Sequence, residues 1–293
     1  MTHSMDVILR IEQALEAAVT EGTREGCPPL LAAAVRHAVF PGGGRVRPRL
    51  CLAVAAACGD DAPETSDAAA VALELLHCAS LVHDDLPCFD NADLRRGRPS
   101  VHRAYDERLA VLVGDGLIVL AFENLVWRIR QPDRLAILTR LVGRAVGMQA
   151  GIVAGQAWEC EPEVELTAYH REKTAALFTA ASAAGAAAAG HDPAAWSALG
   201  EQLGLAYQVA DDIRDVASTP EALGKPTGQD AIHDRPSATA QLGLDGALAR
   251  LTELVNGAVH SIPECRGQAQ LQALIRSEIE RLLPAELAAR VGG

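Results

Sequence analysis

Positive charge is scarce in this chain, and so are aromatic rings, paired cysteines, strongly apolar runs and stretches of alternating β-branched residues. The 38 acidic side chains outnumber the 26 basic ones, for a formal net charge of −12. A nucleic-acid partner is therefore not expected, because an acidic surface cannot displace the counterions of a phosphate backbone. The 7 cysteines form neither a disulfide framework nor the CxxC pairs of a zinc site, which fits a reducing cytoplasm. The start, Met1 to Asp6, leads into an amphipathic helix interrupted by Arg10 and Glu12, without the charged head and apolar centre of a signal peptide. The longest uncharged run, Thr174 to Gly190, is mostly Ala, Gly, Ser and Thr. That is too weakly apolar for a membrane span and suits a helix whose neighbours approach closely. No Pro/Gly/Ser-rich linker divides the sequence, so one domain is expected across residues 1–293.

What is present points to helices. Apolar residues make up 49% of the chain, many of them Ala, and the expected fold class is all-α. Apolar spacing predicts a first helix from Val7 to Ala18, and Pro28-Pro29 starts a second that Pro41-Gly42-Gly43-Gly44 stops. A third runs from near Pro48 to Cys58, and Thr65 or Ser66 is expected to cap a fourth that ends at Pro87. Further helices are predicted over about 107–129, 132–154, 169–189, 193–216, 244–261 and 267–289.

Two acidic clusters terminate apolar helical patterns: His83-Asp84-Asp85-Leu86-Pro87-Cys88-Phe89-Asp90, and Asp211-Asp212-Ile213-Arg214-Asp215. A single acidic cluster at a helix end is usually a solvated face. Two of them beside apolar surface call for a shared reason, and divalent metal gripping a phosphate-bearing substrate is the simplest. At about 3.6 residues per turn, Asp211 and Asp215 share a helix face with Asp212 beside them, so the three are expected to converge on one ion. Asp84 and Asp90 would diverge on an unbroken helix, but Pro87 forbids continuation and permits a turn that returns Asp90. Neither stretch has the register of an EF-hand loop.

The remaining candidates are weaker alone. Arg95, Arg96 and Arg98 are surface charges offsetting nearby acids, or a clamp on phosphate oxygens. His77 is an ordinary half-buried histidine or a phosphate contact. Lys173-Thr174, Gln208 and Gly224-Lys225 gain meaning only as a set.

Taken in order, the run Gly42 to Pro48, the stretch from His83 to Ser100, Lys173-Thr174, the stretch from Tyr207 to Asp215, and Gly224-Lys225 resemble the trans-prenyltransferases, the short-chain isoprenyl diphosphate synthases. The wording around the motifs looks like bacterial geranylgeranyl diphosphate synthases of carotenoid pathways. The resemblance spans about residues 30–230, and the four residues between Asp85 and Asp90 look like the bacterial and plant form. It implies a helical bundle around a central cavity, usually a homodimer, that joins isopentenyl diphosphate to dimethylallyl, geranyl or farnesyl diphosphate and releases pyrophosphate. Carried over by position, Asp84, Asp85, Asp90, Asp211 and Asp215 would hold about three Mg²⁺ ions. Arg95, Lys173, Thr174, Gln208, Asp212 and Lys225 would bind the allylic diphosphate. Arg47, His77 and Arg96 would bind isopentenyl diphosphate, and no protein nucleophile is required.

Two departures stand out. Gly44 and Gln229 occupy positions where the family usually has lysine, and each removes a phosphate contact, so either weaker isopentenyl diphosphate binding or compensation by Arg45 and the glycine-run amides is expected. Ala79 and Ser80 are both small, and farnesyl-producing members often carry an aromatic ring at the Ala79 position, so its absence implies a deeper channel and a C20 product; Phe122 is a candidate floor. Farnesyl diphosphate synthesis and a non-catalytic product-modifying subunit are the alternatives. A terpene cyclase is disfavoured because aromatic residues are only 3% of the chain and the second acidic site is all aspartate.

Overall fold

Alanine-rich segments bounded by Pro and Gly become helices here, and the structure, a computed structural model, describes residues 2–162, 171–217, 237–283 and 287. In chain order the helices are α1 (Thr2–Gly22), α2 (Pro29–Val39), α3 (Val46–Cys58), α4 (Pro63–Asp84), α5 (Val101–Ala104), α6 (Glu107–Arg128), α7 (Pro132–Val146) and α8 (Ile152–Ala157). A π-helical turn (Arg171–Ala175) leads into α9 (Ala176–Ala188), followed by α10 (Ser197–Ala217), α11 (Ala238–His260) and α12 (Gln268–Glu280). The all-α expectation holds apart from a two-residue ribbon, β1 (Leu94–Arg95) antiparallel to β2 (Arg98–Pro99). Arg96 and Gly97 between them both have positive φ, 53° and 73°, as a tight hairpin turn demands.

At the centre α4 is buried along most of its length and packs against α3, α6 and α9. The small-residue helix α9 is almost wholly buried, as its composition predicts. A methyl group added at Gly185 would strike the Cys51 carbonyl, so α3 and α9 touch backbone to backbone there. Both α4 and α6 are long and apolar enough to cross a membrane, but 78% of the apolar window of α4 is buried against 44% for α6. The difference is an outward apolar face on α6, where Val111, Leu112, Val119 and Val126 are exposed.

Several expected boundaries move, each for a local reason. Thr65 and Ser66 do not cap α4, because Pro63 already occupies its first turn, where a missing N–H costs nothing. Thr65 Oγ1 instead donates to Gln131 Oε1 at 3.0 Å, and Ser66 donates to the Asp60 carboxylate. The helix expected over 132–154 is two, because Gly147 turns extended (ψ 177°). The one expected from 193 opens with a 3₁₀ turn, Pro193–Trp196. The one expected from 244 begins earlier, at Ala238, and Gly243 (φ 68°, ψ 173°) breaks its first turns. Tyr169 lies outside the described residues, and the helix expected to run to 289 ends at Glu280, with Arg281 as its C-cap.

Candidate active site

The end of α4 carries the first acidic cluster. Beyond Asp84 the chain folds back: Leu86 N donates to His83 O at 3.1 Å and Asp90 N donates to Asp84 O at 2.9 Å, which returns Asp90 to Asp84 as the Pro87 break predicts. Burial pushes the Asp84 carboxyl up to about 6; nearby Lys173 pulls it down and Asp90 pushes it further up. Asp85 is 2% exposed, within the field of Asp90. It accepts from Arg95 Nε at 3.0 and 3.2 Å and from Arg95 Nη2, so the ribbon's first strand neutralises it. Burial raises the Asp85 carboxyl and Arg95 opposes that rise.

Arg96, at the ribbon's turn, donates to the Gly42 carbonyl. A Cβ at Gly43 (φ +138°) would lie 2.6 Å from Arg96 Cζ, so glycine there lets the loop wrap the guanidinium. Arg47 lays its guanidinium over the Phe178 ring at 4.8 Å, and its Nε is buried without a hydrogen-bond partner. His77 is half-buried on α4. Burial, and then the charges of Arg47, Arg96, Arg95 and Arg45, hold its pKa well below the ordinary 6.5 and keep the imidazole neutral.

One expectation is corrected here. Arg45 does not stand in for the lysine missing at Gly44: it is 2% exposed, and its Nε and Nη1 lie 2.7 Å from Glu12 and Glu74 carboxylates. Its Nη2 also donates to the Val39 carbonyl at 2.8 Å. Burial opposes its charge, but the hydrogen bond to Glu12 and the field of Glu74 outweigh that, and the pKa rises. Arg45 is a bolt between α1, α3 and α4.

The second cluster, on α10, is reached through the π-helical turn. Thr174 Oγ1 donates to Gln208 Oε1 at 2.8 Å, and Gln208 Nε2 donates to Asp212 Oδ1 at 2.9 Å. The other Asp212 oxygen accepts from Ala238 N at 2.8 Å, at the start of α11. Burial raises the Asp212 carboxyl against those two hydrogen bonds. Lys173, one residue before Thr174, pairs with Glu159 and acts on Asp84. The turn thus joins both acidic clusters. It sits between close helices: a Cβ at Gly155 would lie 2.6 Å from Lys173 Cα, and one at Gly204 would lie 2.7 Å from Ala175 Cβ.

Asp211 pairs with Arg214, one turn on, and the buried Asp215 has an Oδ1 without a hydrogen-bond partner. The charges of Asp211 and Asp215 both reach Asp212 and raise its carboxyl, while among the described residues no three His, Cys, Asp or Glu side chains already stand as a metal-holding group. Like carboxylates repel, so Asp211 takes Arg214 and Asp212 takes Gln208 and the Ala238 amide, whereas Asp215 keeps one oxygen unpartnered. The donor set nevertheless suits a hard dication: oxygen ligands only, a desolvated Asp84 with a raised pKa and an unpartnered Asp215 oxygen. Lys225, with Gly224 and Gln229, lies outside the described residues.

Sequence reasoning missed Gln156, Glu159 and Trp158. Both amide atoms of Gln156 are buried and unpartnered, and Trp158 Nε1 donates to Glu172 Oε2 at 2.7 Å, tying α8 to the turn. The available signal was Gln156 directly after the close-packing Gly155. Ala79 is buried, Ser80 Oγ donates to the His77 carbonyl at 2.9 Å, and Phe122 lies 3.9 Å from a Cβ built at Gly143 on α7.

An all-helical body with aspartates at two joined helix ends and arginines around them has the fold of the isoprenyl synthases. Among solved structures, the chain aligns with a geranyltransferase from Legionella pneumophila at a TM-score of 0.81 and 29% identity, over 96% of each chain. A Helicobacter pylori geranyltransferase, solved with magnesium and isoprenyl diphosphate, aligns at 0.78 and 31% identity over 92% of this chain and 96% of that one. The sequence profile of the Polyprenyl synthetase family matches residues 28–270, and the chain belongs to that family. A geranylgeranyl diphosphate synthase from Cereibacter sphaeroides is 54% identical over 96% of this chain and 98% of its own length. One of the same name from Rhodobacter capsulatus is 49% identical over 98% of this chain and 100% of its own.

Proposed function

We propose that this protein is a geranylgeranyl diphosphate synthase, condensing isopentenyl diphosphate with allylic diphosphates and releasing pyrophosphate. The observation that carries the reading is the bridge from Asp84 through Lys173-Thr174 and Gln208 to Asp212, which makes one site of the two acidic helix ends. The C20 product is supported by the two relatives of that name and by Ala79 and Ser80, which put no ring before the first cluster.

In this reading Asp84, Asp85, Asp90, Asp211 and Asp215 hold Mg²⁺, which when bound supplies the positive charge that stabilises the departing pyrophosphate. Lys173, with Thr174 and Gln208 fixed by their hydrogen bonds, orients the allylic diphosphate, and Arg95 and Lys225 complete that set. Arg47, Arg96 and neutral His77 hold isopentenyl diphosphate, with Arg47 free of any carboxylate partner among the described residues. The isopentenyl double bond attacks the allylic carbon, and the released pyrophosphate takes the proton. We place the protein in the cytoplasm, where its seven free cysteines stay reduced, as a single domain serving carotenoid synthesis. It pairs as a homodimer that covers the exposed valines and leucine of α6.

The test is an assay of the purified protein with isopentenyl diphosphate and each allylic diphosphate, products being sized after phosphatase treatment. A C20 alcohol that disappears on chelation and returns with Mg²⁺ is expected. Turnover only after adding a second synthase would instead make this chain a regulatory subunit, and a C15 product would make it a farnesyl diphosphate synthase.

A further inference from the structure

Three arginines open α3 in the order Arg45-Val46-Arg47-Pro48-Arg49, and the structure sends them three ways. Arg45 is bolted to Glu12 and Glu74. Arg49 makes a two-pronged pair with Glu278 of α12, Nη1 to Oε2 and Nη2 to Oε1, both at 2.6 Å. Arg47 lies between them on the Phe178 ring, with no carboxylate partner among the described residues. The Arg49 and Glu278 side chains are only 7% and 21% exposed, so salt screens their pair weakly.

Packing alone does not set this joint. A cavity of about 50 Å³ lies beside the pair, bordered by Val46, Leu50, Phe178, Tyr207, Leu274 and Ile279. Side chains facing a void lose dispersion contacts on that side, so the two-pronged bond adds to the packing of buried Leu271, Ile275 and Ile279 the directional contact that sets α12 against the first turn of α3. Phe178, which carries Arg47, borders the same cavity and meets the Tyr207 ring at a 40° tilt, with centroids 5.2 Å apart.

We propose that Arg49 and Glu278 are positioning residues: their pair holds the first turn of α3 so that Arg47 meets the diphosphate of the homoallylic substrate. The inference rests on the function proposed above. A second link from Glu278 to Arg281, at 2.9 Å, steadies the carboxylate on α12.

Steady-state kinetics of Glu278→Gln and Arg49→Lys at saturating allylic diphosphate test it, Arg49→Lys keeping charge and approximate volume while losing the planar fork. In each variant, KM for isopentenyl diphosphate is expected to rise about tenfold, ~1.4 kcal/mol, while kcat and the allylic KM stay within about twofold. The exchanged pair, Arg49→Glu with Glu278→Arg, should recover most of the lost affinity. An unmoved isopentenyl KM in both single variants, or a fall in kcat that merely follows a lower melting temperature, overturns the proposal. An inactive wild-type protein overturns the functional reading itself, and is seen before any variant is compared.

Discussion

Replacing Arg45 by methionine separates a structural bolt from a substrate contact. Arg45 closes a network of two carboxylates and one carbonyl, and the Glu74 side chain is only 2% exposed. Without the guanidinium, Glu74 is stranded as a buried, unpaired acid, whereas Glu12, 36% exposed, is rehydrated. Breaking a buried pair from one side costs about 3–5 kcal/mol, most of it the desolvation of the partner left behind. At roughly 2 °C per kcal/mol for a chain of this size, the melting temperature should drop by about 6–10 °C in far-UV circular dichroism. Both KM values should hold for the protein that remains folded. The double variant Arg45→Met/Glu74→Leu, which removes the stranded charge, should recover most of the loss. A melt unchanged from the wild type, together with a raised KM for isopentenyl diphosphate, would refute the assignment and return Arg45 to the substrate.

Thr174→Val keeps the shape but leaves Gln208 without its donor, a loss of about 1–3 kcal/mol that should appear as roughly five- to 150-fold in kcat; unchanged turnover counts against the bridge. Because the folded-state pKa of His77 is depressed, the unfolded chain binds the extra proton first: its contribution to stability is complete above pH 6.5 and is lost as pH falls toward the folded value. Unfolding free energies from urea titrations should therefore fall by about 1.4 kcal/mol less between pH 7.5 and 5.5 in His77→Gln than in the wild type, and parallel curves would disprove it. Ala79→Tyr puts a ring into a buried position, so a shorter product is expected with a stability loss of about 1–3 kcal/mol, and an unaltered product distribution removes the channel argument.

Much of the site can be read along the chain because its signals are local. Pro87 forces the turn that brings Asp90 back to Asp84, and Arg96-Gly97 makes the hairpin that sets Arg95 against Asp85. Arg45 could not be read that way, since nothing beside it in sequence tells which of three neighbouring arginines meets carboxylates from α1 and α4. Glu159 and Lys173 were equally opaque as a pair, because the chain between them gives no spacing rule that aligns the two side chains.

The sequence by itself determined the helices, their breaks at proline and glycine, and the two acidic ends, because backbone preference and apolar periodicity act over a few residues. Tertiary structure alone decided which charges are spent within the protein and which remain for a ligand. Arg45 and Arg49 are consumed by Glu12, Glu74 and Glu278, while Arg47 rests on an aromatic ring. The physical reason is that burial removes water as the universal partner, so each ionic group must take the counter-charge that the fold happens to bring within reach.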